Sequence, residues 1–372
     1  MKIIHAIFSF HVGGSETMLV DIINRQCKEA SIGLIIVNNK VNIDLLNTID
    51  KRVTVYLLNR KESNKIQFLS AFLKIKQIVN KINPDVIHCH DNKLFPFFIN
   101  QRKKSCLTVH NVRLSTLFLK KYNVIFAIST AVQNDLQKRT GIFSPIVYNG
   151  IEIEQYKQRI SYTFNREKEV FNIVLLSRLF PEQKGQHIAI QSINMLKKRN
   201  LNIKLYLIGG GNPDEFIRLK ALAAEYNIEN QVEFFGQVDR NWIRNHLKDY
   251  HLLIQPSLYE GFGITIIEGF ACGLPIVASD LDGPKEIIEI LHSGLLVKPN
   301  NPVDLADKIY QVYQAYILNT LKDSNYILKD KNQLKIFDIQ TTAKAYIDNY
   351  SSLILKQSCR RNKSSLLTKS KS

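Results

Sequence analysis

No apolar run in the 372-residue sequence approaches the ~20 residues needed to cross a bilayer, so no spanning segment is expected. Cysteine is scarce and unpatterned: five residues, at 27, 89, 106, 272 and 359, odd in number and without CxxC spacing. That argues against a disulfide framework and suits a reducing cytoplasm. The start, Met1-Lys2-Ile3-Ile4-His5-Ala6-Ile7-Phe8, is short, β-branched and followed by a glycine turn, so it reads as a strand and not as a signal peptide. Acidic residues are short in one half only. Residues 1–160 hold 11 of them against 23 Lys/Arg, residues 161–356 are balanced at 22 each, and residues 357–372 hold five cations and no acid. The net +17 therefore sits in the first half and the tail, which calls for an anionic partner there. Nucleic acid and an anionic membrane both qualify on charge.

The length exceeds one average domain, and 45% hydrophobic with 22% charged residues is globular, so two domains are expected. The most informative stretch is 256–269, Pro-Ser-Leu-Tyr-Glu-Gly-Phe-Gly-Ile-Thr-Ile-Ile-Glu-Gly. It follows an apolar strand at 251–255 and runs into a helix. Gly261 and Gly263 let a ligand approach that helix N-terminus, where unpaired N–H groups favour an anion. Glu260 stands just before the helix and Glu268 about two turns in, separated by seven residues.

Other strand–turn–helix units carry matching chemistry. After the first strand, Gly13-Gly14-Ser15-Glu16 opens a helix, an anion-binding turn of the Rossmann kind although not GxGxxG. Arg178 and Lys184 flank one loop at the end of strand 171–177, where α/β proteins place ligands; two cations there would neutralise a departing diphosphate. Strand 84–90 brings His88 and His90 to one face beside Asp91, with His110 after strand 107–109. These could be a metal cluster, but no Glu or third helical ligand completes a set. Asp280-x-Asp282 reads as a turn. The apolar stretch 94–99 before Arg102-Lys103-Lys104 reads as a helix buried against the sheet with a solvated end, and a membrane contact is the alternative. An amphipathic helix spans about 66–81, with Phe68, Leu69, Phe72, Leu73, Ile75, Ile78 and Val79 as its apolar residues.

Glu-x7-Glu, Arg-x5-Lys-Gly, the Gly-Gly-small-Glu loop and the Asp-Val-Ile-His-x-His strand together resemble the retaining GT-B glycosyltransferases of family 4, over roughly residues 1–356. The resemblance implies an α/β chain of two Rossmann-like doubly wound domains facing a cleft. It places an acceptor domain at 1–160, a nucleotide-sugar domain at 161–336 with a linker at 152–169, and a crossover helix at 337–356 packing on the first domain. Residues 357–372 read as a basic disordered tail. By the resemblance, Glu260 and His110 contact the donor sugar, Glu268 the ribose, and Arg178 and Lys184 the diphosphate. Gly13, Gly14, Gly261, Phe262, Gly263, Ile264 and Thr265 line the donor, and Gly236 and Val238 meet the base. No metal or other cofactor is called for. The activity implied is transfer of a hexosyl group from a UDP- or GDP-linked sugar to a glycan acceptor, lipid-linked or lipopolysaccharide, in bacterial surface polysaccharide synthesis. The protein is then cytoplasmic, peripheral on the inner face of the membrane. A GT-B sugar-nucleotide epimerase, a non-catalytic subunit, or a basic nucleic-acid-binding protein are the alternatives.

Overall fold

A computed structural model describes residues 1–11, 13–62 and 65–369. Val12 of the first glycine loop and 370–372 of the tail lie outside these. The chain divides into two compact units: Met1–Gly150 with Phe337–Ser372, and Ile151–Ile336.

The first unit alternates strands and helices: β1 (Lys2–Ile7), α1 (Gly14–Gln26), β2 (Ser31–Asn38), α2 (Ile43–Asn47), β3 (Thr54–Arg60), α3 (Lys65–Ile82), β4 (Val86–Cys89), β5 (Ser105–Val109), β6 (Val124–Ala127) and α4 (Thr130–Thr140). All its strand pairs are parallel, in the order β3-β2-β1-β4-β5-β6. Parallel strands covered on both faces must be apolar along their length, which is why β1, β4 and β5 are buried nearly throughout. Ser129 caps α4, its Oγ accepting from Val132 N at 3.1 Å.

The second unit runs β7 (Phe171–Leu176), α5 (Pro181–Lys184), α6 (Gln186–Lys197), β8 (Ile203–Ile208), α7 (Pro213–Glu225), β9 (Val232–Gly236), α8 (Arg240–His246), β10 (Leu252–Gln255), α9 (Ile264–Ala271), β11 (Ile276–Ser279), α10 (Asp282–Leu291), β12 (Leu295–Val297) and α11 (Pro302–Ile317). Its sheet is also parallel, in the order β12-β11-β10-β7-β8-β9. In both sheets the strand order reverses at one place, between β1 and β4 and between β10 and β7. Such switch points leave a crevice at the strands' carboxyl ends.

The final helix, α12 (Ile339–Lys369), returns to the first unit and packs on α1. Tyr346 and Tyr350 are fully buried, and they bond into the sheet: Tyr350 Oη lies 2.5 Å from His88 Nδ1, and Tyr346 Oη 2.9 Å from Thr108 Oγ1.

Five sequence expectations change. The unit boundary falls at 150/151, ten residues before the expected one. The polar segment read as a linker is anchored to the second unit, with Tyr156 buried and Arg159 Nη1 donating to Tyr250 O at 2.9 Å. The tail read as disordered continues α12 as far as Lys369; it holds no Gly or Pro to stop a helix. On α3, Leu69 and Leu73 point to solvent, and Ala71, Ile75 and Val79 face the core. The aromatics Phe95, Phe97 and Phe98 are buried as expected, in 3-10 turns and not an α-helix, with Ile99 exposed.

The β1–β4 switch point is filled with imidazole. His5 and His88 are opposite each other in register, and their ring nitrogens come within 4.8 Å of those of His90. His5 Nε2 donates to Gln26 Oε1 at 2.9 Å, so its Nδ1 accepts from His90 Nε2 at 3.1 Å. His88 uses both nitrogens, on Tyr350 and on Thr108 at 2.7 Å. The cluster is thus His5, His88 and His90; Asp91 instead accepts from Lys93 N at 2.7 Å. Burial lowers His5 and His110 from 6.5 to about 4 and pushes His88 and His90 well below 6.5. The unfolded chain therefore binds more protons than the folded one between about pH 4 and 6.5, and stability rises with pH across that window. Each of His5 and His110 contributes about 3 kcal/mol of destabilisation by pH 4. The melting temperature should fall steadily as pH drops from about 6.5, checked by calorimetry; in His5→Asn the fall should be shallower.

Candidate functional site

Glycine packing brings the second unit's loops together at the β10–β7 switch point. After β7 the chain passes Ser177 and Arg178, makes the single turn of α5, and reaches Gly185 with φ +69°. A Cβ on Gly185 would lie 1.9 Å from Pro256 O. No other residue fits there. The loop ending in Lys184 is therefore seated directly on the backbone that leads from β10 to Glu260. On the other side, a Cβ on Gly283 would lie 2.2 Å from Phe262 Cα, so the start of α10 is seated on the 261–263 loop.

This seating sets one side-chain pair. Lys184 Nζ forms an ion pair with Glu260 Oε2, both side chains less than a fifth exposed. Gln255 Nε2 donates to the same oxygen at 3.3 Å, and Thr265 Oγ1 donates to Gln255 Oε1 at 2.7 Å. Thr265, Gln255, Glu260 and Lys184 thus form one polar chain across the ends of β7 and β10. Arg178 is exposed, its guanidinium 5.6 Å from the Phe180 ring, with no carboxylate partner among the described residues. The α9 N-terminus carries no side-chain cap. Gly263 sits there in the left-handed region, and Ile264 and Thr265 are half-buried while Gly261 and Phe262 are buried. Two cations and an uncapped helix N-terminus around one crevice suit a diphosphate.

Glu268 is buried about one turn into α9, not two. Its Oε1 accepts from Tyr156 Oη at 2.7 Å. Burial raises the carboxyl above its ordinary range, opposed by the Tyr156 hydrogen bond and by the charges of Arg240 and Arg244. Burial and the nearby Glu268 charge raise the phenol, so Tyr156 remains a donor. Beside β8 and β9, a pocket of about 300 Å³ is lined by Gly209, Gly210, Gly211, Phe216, Phe234 and Gly236. Its size and aromatic walls suit a planar base. Val238 is half-buried just beyond it. Asp280 pairs with Lys285 at 2.8 Å, and Asp282 opens α10, as turn residues do.

The remaining expected residues belong to the first unit and are grouped by themselves. Gly13 is the uncapped N-cap of α1, which begins at Gly14. The Glu16 carboxylate folds back over this turn, accepting from Ser15 Oγ at 2.7 Å. His110 follows β5 and stacks on His90, ring centroids 5.8 Å apart, and its buried Nε2 has no partner. A larger cavity of about 480 Å³ beside Leu119, Phe143 and Leu353 contains none of the expected residues.

Sequence reasoning missed Gln255 and Tyr156. Gln255 left a trace, as the one polar residue ending an apolar strand. Tyr156 left none, lying in a charged run whose fold was not expected.

The comparisons agree with this geometry. Residues 12–155 match the model of Glycosyltransferase Family 4, and residues 157–325 match Glycosyl transferases group 1. An uncharacterized glycosyltransferase of Methanocaldococcus jannaschii is 26% identical over 68% of this chain and 72% of its own length. The gpi3 subunit of phosphatidylinositol N-acetylglucosaminyltransferase from Schizosaccharomyces pombe is 23% identical over 79% of this chain and 66% of its own. Among solved structures, Anabaena HepE in complex with UDP and glucose superposes with a TM-score of 0.78 at 22% identity, covering 95% of this chain and 100% of that one, a likeness of fold. Two family models laid end to end across two doubly wound units leave one conclusion: the chain belongs to glycosyltransferase family 4 and is a glycosyltransferase of GT-B fold.

Proposed function

We propose that the protein transfers a hexosyl group, with retention at the anomeric carbon, from a nucleoside-diphosphate sugar to a glycan acceptor. The acceptor is lipid-linked or lipopolysaccharide, made at the cytoplasmic face of a bacterial membrane that the protein touches peripherally. The observation that supports the donor half is Lys184 held against Glu260 just before the uncapped α9 N-terminus, with Arg178 exposed earlier on the same loop after β7. The solved HepE complex with UDP and glucose supports a UDP-sugar, and the phosphatidylinositol-acting relative supports a lipid acceptor. The basic first half of the chain supports an anionic acceptor surface.

The chemistry follows from charge. The donor diphosphate takes Lys184 and Arg178, and Lys184 exchanges its carboxylate partner for phosphate oxygens. Glu260 is then free to bond the sugar hydroxyls. As the anomeric C–O(phosphate) bond breaks, charge grows on the diphosphate and the two cations stabilise it. The acceptor oxygen forms the new bond on the same face, and its proton passes to the departing phosphate. These groups supply the counter-charge that a divalent metal would otherwise give, so the reaction proceeds without one. Glu268, kept in place by Tyr156, bonds the ribose; the 300 Å³ pocket takes the base.

A thermal-shift panel of UDP-, GDP-, ADP- and dTDP-sugars with EDTA tests this. One nucleotide should raise the melting temperature by roughly 5 °C at ~100-fold excess over its dissociation constant. No shift from any of them, alongside tight salt-sensitive nucleic-acid binding, would transfer the case to the basic-binder alternative. Arg178→Ala with Lys184→Ala should lower turnover at least ~1000-fold with the fold intact, read by donor consumption; near-normal turnover refutes the charge argument. Tyr156→Phe should cost about 1–3 kcal/mol of stability, because a buried carboxylate loses its partner, and should raise the donor KM more than it lowers kcat.

A further inference from the structure

We propose that the solvent face of α3 is a docking surface for a bilayer carrying anionic phospholipid headgroups. This deepens the peripheral-membrane part of the reading above and rests on it.

Helix α3 turns two unlike faces outward and inward. Ala71, Ile75 and Val79, spaced four apart, are buried on the core side. Ile66, Leu69 and Leu73, spaced three and four apart, lie on the opposite side, and they are 82%, 60% and 51% exposed. Single exposed aliphatics are ordinary, whereas three aligned on one helix face make a patch that water disfavours. The helix is fixed to the body: Phe68 packs on Phe97 with ring centroids 4.7 Å apart. The patch is therefore presented on a rigid support.

Charge selects the occupant. The 18 residues of α3 contain four lysines and no Asp or Glu. Lys74, Lys76 and Lys81 are exposed, and none has an ion-pair partner among the described residues. Aliphatics at the centre with only cations at the margins match a surface that is apolar below and anionic above, where lysine stems lie along the acyl boundary and their heads reach the phosphates. A second copy docked about a two-fold axis would bring lysines against lysines. Nucleic acid would meet three aliphatics where stacking aromatics are needed; Phe68, 39% exposed, already has Phe97 packed against its ring, so the face offers no run of free aromatics. The anionic bilayer satisfies both halves of the face.

The test is flotation of the full chain with phosphatidylglycerol/phosphatidylcholine vesicles and with phosphatidylcholine vesicles alone. The wild type should float with the first, far less with the second, and lose binding as salt rises. Ile66→Ser/Leu69→Ser/Leu73→Ser should lower partitioning at least ~10-fold, and Lys74→Glu/Lys76→Glu by a similar factor. Both variants should keep the wild-type melting temperature and elution volume. No flotation of the wild type, undiminished flotation of the triple variant, or a wild-type dimer that the triple variant dissolves would each overturn the proposal. The donor reading is separated by the nucleotide-sugar thermal shift on the same samples. A donor shift without flotation sinks the docking surface alone, and flotation without any donor shift sinks the donor reading alone.

Discussion

A carbonyl oxygen fills the space beside residue 185. Because Pro256 O would lie 1.9 Å from any Cβ there, and because φ is +69°, the position admits glycine only. The contact is backbone on backbone, so it fixes the spacing of two loops without depending on a rotamer. The pairing of Lys184 with Glu260 is its consequence. A half-buried ion pair is weak evidence of stability, since desolvation offsets much of its Coulomb energy. It is better evidence of preorganisation. In the proposed reaction, a lysine held against one carboxylate is already placed for an incoming diphosphate, and the exchange of one anionic partner for another costs little reorganisation.

The same parallel topology is used twice with different chemistry. In the second unit the switch point is lined by glycines, two cations and a helix N-terminus. In the first, the corresponding strands place His5 and His88 opposite each other, with His90 bonded to His5. Buried imidazoles are held neutral; His5 is satisfied by Gln26 and His90, and His88 by Thr108 and Tyr350, while His90 Nδ1 is left without a partner among the described residues. Two of those links tie the sheet to its neighbours in the unit: Gln26 from α1 and Tyr350 from α12. A helix 262 residues further along the chain thus completes the polar interior of β4. The bonds this network does make specify the packing, because any slip would leave further buried donors or acceptors unpaired.

What could be read from the residues follows from what is local. Strands buried on both faces are apolar runs, and loops at a switch point are glycine turns; both survive in sequence, as do motif spacings such as Glu260 to Glu268. Contacts made at a distance do not. Tyr156 is 112 residues from the carboxylate it holds, and nothing in its charged surroundings signals burial. The segment around it reads as a linker because composition reports polarity, while Arg159 and Tyr162 spend their polar atoms on backbone carbonyls of the second unit. The tail reads as disordered for the same reason: composition sees Ser and Lys, but the absence of Gly and Pro lets α12 continue.

Helix α3 shows the limit of periodicity most clearly. Its apolar residues recur at both three and four, so they cover more than one face, and the sequence offers no rule for which face meets the sheet. Packing decides: the small Ala71 permits close approach, and Ile75 and Val79 follow it inward, which forces Ile66, Leu69 and Leu73 out. A core-only helix would place polar residues at those three positions without loss, since exposed polar side chains cost folding nothing. Acid-free charge on the same helix removes the second ordinary explanation, a solvated surface laced with ion pairs. An exposed apolar face that folding does not use, edged by charge of a single sign, is a constraint set by something outside the fold.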